Sequence, residues 1–103
     1  VIKYARISDK VLMRTQLDCC EDNLSKVRGI VNRLVLALKA DDFAYSEEQE
    51  YAVPIFADIY ATKNAHGTWF IKFFIEHGRV TVASCHAPDR DIKRVDGRTI
   101  KAP

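Results

Sequence analysis

Residues 54–86 constrain this chain more than any other stretch. Three runs rich in β-branched and aromatic residues stand there, at 55–62, 69–76 and 79–86, separated by turn residues at 63–67 and at His77-Gly78. The pattern reads as two or three antiparallel strands. With His77-Gly78 as a two-residue hairpin loop, Glu76 faces Arg79. An unbroken ladder then puts Trp69, Ile71, Phe73 and Ile75 on one face with Val80, Val82, Ser84 and His86. Phe70, Lys72, Phe74 and Glu76 share the other face with Arg79, Thr81, Ala83 and Cys85. The first face is the expected core. The second mixes cations with aromatics and is where function is expected.

Leu24, Val27, Ile30, Val31, Leu34, Val35 and Leu38 fall on one stripe at helical spacing, with Lys26, Asn32 and Arg33 opposite. That predicts a helix over 24 to about 39, capped by Asp22 or Asn23 and packed on the apolar sheet face. Residues 2–7 alternate as a short strand, and 8–17 read either as its continuation or as a short helix. Residues 46–50 read as an acidic connection or a second short helix. Beyond Pro88, a terminal hairpin is expected around Asp96-Gly97. The expected class is α+β: a small twisted antiparallel sheet with helices on one face, forming a single domain over 1–103.

With 48% hydrophobic and 29% charged residues, the 103-residue chain can bury one core without metals or disulfides. Its three cysteines make no disulfide framework and read as reduced thiols in a cytoplasm. No apolar run reaches membrane-spanning length, and none reads as a signal peptide. The net charge of +2 is uneven: +3 over 1–17, −5 over 18–62 and +4 over 63–103. Basic ends around an acidic middle suit a polyanion lying across them, although ordinary solvated faces give the same pattern.

Residues 36–46, Phe56-Ala-Asp-Ile-Tyr60, Gly67-Thr-Trp-Phe-Ile-Lys72 and Val80-Thr-Val-Ala-Ser84 resemble the motility quorum-sensing regulator (MqsR) type ribonuclease toxins. The matching positions are Asp42, Phe43, Ser46, Asp58, Tyr60, Gly67, Lys72 and Ser84, over roughly half of the chain. The resemblance implies a RelE-like fold, metal-independent cleavage of RNA, and a partner protein that neutralises the activity. Four functional positions depart from the family. Tyr45 stands for its catalytic lysine, Ala57 for its glutamine, Phe70 for its tyrosine and His86 for its strand-end lysine.

Cleaving RNA without a metal needs a base for the 2′-OH, an acid for the leaving 5′-oxygen, and cations for the developing charge. His86, Lys72, Tyr45 and Tyr60 are the candidate catalytic residues, histidine being the natural acid or base near neutral pH. Arg79, Arg90, Lys93, Arg94 and Phe70 are the candidate RNA-binding residues. The blander readings are a sheet-end histidine held by backbone and a solubilising lysine. The unbroken register also separates His86 from Lys72, unless a bulge or the strand's exit turns the histidine. Cys85-His86 makes no dyad, because strand neighbours point to opposite faces. No zinc spacing and no glycine-rich phosphate loop occur, so no metal or cofactor is expected.

The expected function is an endoribonuclease toxin acting in a cytoplasm, its own or that of a cell into which it is delivered. It is held inactive by a cognate antitoxin or immunity protein. Starting at Val1, the chain also fits the C-terminal toxic domain of a larger protein. The alternative is a non-catalytic binding module (an antitoxin, immunity protein or inhibitor) that uses the open sheet face.

Overall fold

A computed structural model describes residues 5–49 and 55–103. The chain runs β1 (Arg6–Ile7), α1 (Asp9–Cys19), α2 (Leu24–Ala37), a 3₁₀ turn at Ala40–Asp42, then β2 (Phe43–Gln49), β3 (Ile55–Asn64), β4 (Gly67–Glu76) and β5 (Arg79–His86). The short strands β6 (Ile92–Lys93) and β7 (Thr99–Ile100) follow. Five strands form one sheet in the order β1-β5-β4-β3-β2, antiparallel except for the parallel edge pair of β1 with β5. The fold is α+β, with two helices packed against a mostly antiparallel sheet.

The helices begin where the sequence supplies caps. Ser8 accepts from the Val11 N–H, and the Asn23 side chain accepts from both Ser25 and Lys26. Residues 9–19 are thus helical, which settles the ambiguous segment, while α2 stops at Ala37, two residues short of expectation. Val27, Ile30, Val31, Leu34 and Val35 of α2 bury against Trp69, Ile71, Val80 and Val82, with Leu38 and Phe73 packed at the margin. The expected strand over residues 2–7 survives as Arg6–Ile7; Ile2, Lys3 and Tyr4 lie outside the described residues. Residues 43–49 form β2, neither a connection nor a helix, with Glu50 outside the described residues. Pairing with β3 from Phe43 to Gln49 decides this; the acidic side chains of a sheet-edge strand can stay at the surface.

His77 and Gly78 both take positive φ, 51° and 72°, the backbone of a tight two-residue hairpin turn. From there the ladder follows expectation through Glu76↔Arg79, Ile75↔Val80, Phe74↔Thr81 and Phe73↔Val82, and then slips. The next pair is Lys72↔Ser84, so Ala83 is an extra residue, a β-bulge. Every residue after it changes face. Cys85 goes to the helix side and is buried beneath α1, while Ser84 and His86 join Lys72 and Phe70. The face assignment from the unbroken ladder is corrected at these three residues. Ile75 and Phe74 keep their expected places opposite Val80 and Thr81 but differ in burial: Ile75 is 64% exposed and Phe74 is buried.

The side of the sheet away from the helices is partly covered. The terminal hairpin β6–β7 folds onto it, packing Ile92 and Ile100 against Ala61, Phe70 and Ala44. Among the described residues, no helix is long and apolar enough to cross a membrane.

Leu34 sits in the helix–sheet seam at 4% exposure. Leu34→Ala should lower the free energy of unfolding by about 2–5 kcal/mol, read from the chemical-denaturation midpoint. An unchanged midpoint would show that α2 contributes nothing through this seam.

Candidate active-site cleft

Residues directly opposite in an antiparallel pair share a face. The pairs Tyr45↔Ile59, Ile59↔Lys72 and Lys72↔Ser84 therefore set Tyr45, Lys72 and Ser84 in one row across four strands. Phe70 and His86 lie one row along from it, toward the terminal hairpin. These side chains, with Glu47, Asp89, Arg90 and Ile92, line a cleft of about 430 Å³ on the face away from the helices. The side chain of Lys72 is 19% exposed, and its Nζ lies 3.0 Å from Glu47 Oε1. Gln49 Nε2 donates to the same oxygen at 3.3 Å. The bond to Lys72 holds the Glu47 carboxyl below its ordinary range, against the opposing effect of burial; Gln49 and the Arg90 charge act in the same direction as Lys72.

His86 is fixed in two ways. Its ring stacks on Phe70 with centroids 5.1 Å apart and planes 20° from parallel. Its Nδ1 lies 2.7 Å from the Ala87 carbonyl oxygen. A carbonyl oxygen can only accept, so Nδ1 carries the proton and Nε2 is left for exchange with a ligand. Tyr45, at 36% exposure, borders the cleft from β2. His86, Lys72, Tyr45, Arg90 and Phe70 are therefore brought together as the sequence analysis required.

Tyr60 is not among them. Its place opposite Ile71 puts it on the helix side, stacked on Phe73 at 5.4 Å and meeting Phe43 edge-on at 5.4 Å. Burial, then the Asp58 and Asp42 carboxylates, push its hydroxyl pKa upward, which suits a packed core-margin tyrosine. Arg79 stands at the far hairpin, beside Glu76, Arg6 and Arg28, around a larger concavity of about 1050 Å³. The larger cavity offers arginines, the Glu76 carboxylate and apolar walls but no histidine, so the smaller cleft is the candidate site. Lys93 is exposed on β6 outside the cleft lining. Arg94 is a strut: Nη1 meets Asp42 at 2.9 Å and the Ala61 carbonyl at 3.3 Å, and Nη2 meets Asp96 at 2.8 Å. The Arg98 backbone N–H, and after it the Arg94 guanidinium, hold the Asp96 carboxyl below its ordinary value.

Sequence reasoning missed Glu47 and Asp89 as members of the cleft. Glu47 was hidden in what read as an acidic connection or a short second helix, and only the pairing of β2 with β3 places it beside Lys72. Cys85, on the opposite face from His86, has its thiol pKa pushed up to about 12, chiefly by burial, so it is inert. Among the described residues, no group of three or more His, Cys, Asp or Glu side chains is arranged to hold a metal ion.

Of the positions that carry the resemblance to the MqsR-type toxins, Lys72 and Ser84 line the cleft. Others form scaffold on the helix side, where Ser46 Oγ donates to Asp58 at 2.6 Å and Phe43 meets Tyr60. Searches of family models, curated proteins and solved structures find no match to this chain.

A depressed carboxyl pKa contributes stability above the unfolded value and loses it as pH falls through the folded one. The Lys72–Glu47 pair should thus be intact at neutral pH and dissolve on acidification from 4.5 downward. Glu47→Gln should make stability fall less steeply there, measured as urea midpoints on either side of pH 4.5. Arg94→Ala leaves Asp42 and Asp96, with side chains 13% and 18% exposed, without their cation. It should lower the urea midpoint, while Lys93→Ala leaves that midpoint in place.

Proposed function

We propose that this protein is a metal-independent endoribonuclease of the RelE-like kind, a toxin acting in a cytoplasm and neutralised by a cognate antitoxin or immunity protein. The observation that carries this reading is the convergence, across the Ala83 bulge, of His86 with Lys72, Tyr45 and Arg90 in one cleft. Displacement at phosphorus brings the nucleophile and the leaving group to opposite sides of the phosphoryl centre. Lys72 lies centrally in the sheet, with Tyr45 toward one edge and His86 toward the other, the order such a reaction requires.

In this mechanism His86 Nε2 takes the proton from the ribose 2′-OH, and O2′ forms a bond to the adjacent phosphorus. The P–O5′ bond breaks, and the leaving O5′ takes a proton from the Tyr45 hydroxyl. The products are a 2′,3′-cyclic phosphate and a 5′-hydroxyl end. Lys72 and Arg90 meet the charge that builds on the phosphoryl oxygens. Glu47 keeps the Lys72 ammonium over the sheet rather than free in solvent.

A second reading, a non-catalytic module gripping a protein through the same face, is favoured by one observation: Glu47 already neutralises the cation at the cleft's centre. Growth arrest together with RNA breakdown on expression separates the two.

His86→Ala should lower RNA cleavage by roughly two to four orders of magnitude in a protein whose circular dichroism is unchanged. Lys72→Ala should cost a few kcal/mol of transition-state stabilisation at most, on the order of the loss of one charged donor. A folded and fully toxic His86→Ala removes His86 from the mechanism. Cleavage should also persist in excess EDTA; loss on chelation with recovery in magnesium would sink the metal-independent route.

A further inference from the structure

The end of β5 is held from the helix side by polar groups of α1 that the cleft itself does not contain. Thr15, fully buried, brings its hydroxyl within 2.6 Å of the Cys85 carbonyl and 3.0 Å of the Val11 carbonyl. The hydroxyl has one proton, and the shorter contact takes it. Three residues along the same helix, Asp18 Oδ2 accepts the Ala87 N–H at 2.8 Å. Positions three apart lie on one helix face, so these two bonds clamp the backbone on either side of His86 while its ring projects to the opposite face. The carbonyl of the clamped Ala87 is the group that accepts from His86 Nδ1 at 2.7 Å. Arg14 continues the chain of contacts, reaching Asp18 at 3.8 Å and Asp89 at 3.5 Å on the loop that carries Arg90.

We propose that Asp18 is a positioning residue for His86. By fixing Ala87, it keeps the Ala87 carbonyl on Nδ1 and so makes Nε2 the proton-exchanging nitrogen that faces the cleft. The Ala87 N–H, just past the strand's end, would otherwise turn to water, and nothing else within this set of contacts would hold the carbonyl in line with the ring. Asp18 does not touch the cleft; its influence passes through one residue of backbone. The kinetic side of this assignment rests on the ribonuclease reading, whereas the protonation pattern of the ring does not.

The test is ¹⁵N NMR of the His86 imidazole in the full chain, at a pH where the ring is neutral, with RNA cleavage measured in parallel. Wild-type His86 should be in the Nδ1–H form. Asp18→Ala should shift it toward the Nε2–H form that solvent-exposed histidines favour. It should also lower kcat by about a hundredfold with KM little changed, as displacement of a catalytic group by roughly 1 Å does. Asp18→Asn, whose amide oxygen can still accept the Ala87 N–H, should keep both the wild-type tautomer and most of the rate.

A wild-type ring in the Nε2–H form overturns the proposal, whether or not the variants fold. So does an Asp18→Ala protein that retains the Nδ1–H form, or an Asp18→Asn protein that loses it. Should the wild-type chain cleave no RNA, the ribonuclease reading falls, and the tautomer measurements still decide the role of Asp18.

Discussion

Everything distinctive about the cleft depends on one extra residue in a strand. A β-ladder alternates faces strictly, so the position of a bulge decides which side chains meet. Were Ala83 paired in an unbroken ladder rather than bulged, the register that begins at His77-Gly78 would bury His86 opposite Trp69 and put Cys85 on the face of Lys72. With it, a small apolar thiol goes under α1, where it packs with the core, and the imidazole goes to the open face. Burial favours this exchange. A thiol loses little on leaving water, while a polar ring beneath the helices would need partners that the apolar seam lacks.

The bulge is in turn supported from both sides of the sheet. On the helix side, the Thr15 hydroxyl and Asp18 carboxylate of α1 satisfy backbone groups at Cys85 and Ala87 where the strand leaves the ladder. On the open side, Phe70 stacks under the His86 ring, and the terminal hairpin closes over Phe70 with Ile92 and Ile100. Arg94 fastens that hairpin to the 3₁₀ turn through Asp42 and to β3 through the Ala61 carbonyl. A core on one face and a short hairpin on the other thus define the walls of the cleft, and Lys72 with its Glu47 partner forms its floor.

Charge alone is a poor guide to which cations face a ligand. Of the basic residues near the C-terminus, Arg94 is consumed by two carboxylates, Lys93 faces solvent outside the cleft, and Arg90 lines it. The three differ little in sequence context. They differ in what the folded backbone brings within reach, which is a matter of a few ångströms. Arg79, at a hairpin tip as expected, is far along the sheet from His86 for a reason that was visible: six residues of strand lie between them.

The sequence by itself determined the elements whose signal is local. The apolar stripe of α2, a cap at Asp22 or Asn23 (Asn23 in the fold), the His77-Gly78 turn and the strand runs after it are set by periodicity, capping and turn chemistry, and all are present. Of the set that the chemistry calls for, Lys72, Tyr45, His86 and Arg90 meet in the cleft while Arg79 and Tyr60 do not, and the register drawn from alternation alone sets His86 apart from Lys72. Only the tertiary structure decided what depends on distant partners. It made strand β2 out of an acidic segment by pairing it with β3, and so brought Glu47 to Lys72. It sent Tyr60 to the helix side and inserted the bulge at Ala83. Alternation in a single strand carries no mark of an extra residue, because the bulge is a relation between two strands; it exists only once both are paired and their faces have found a core.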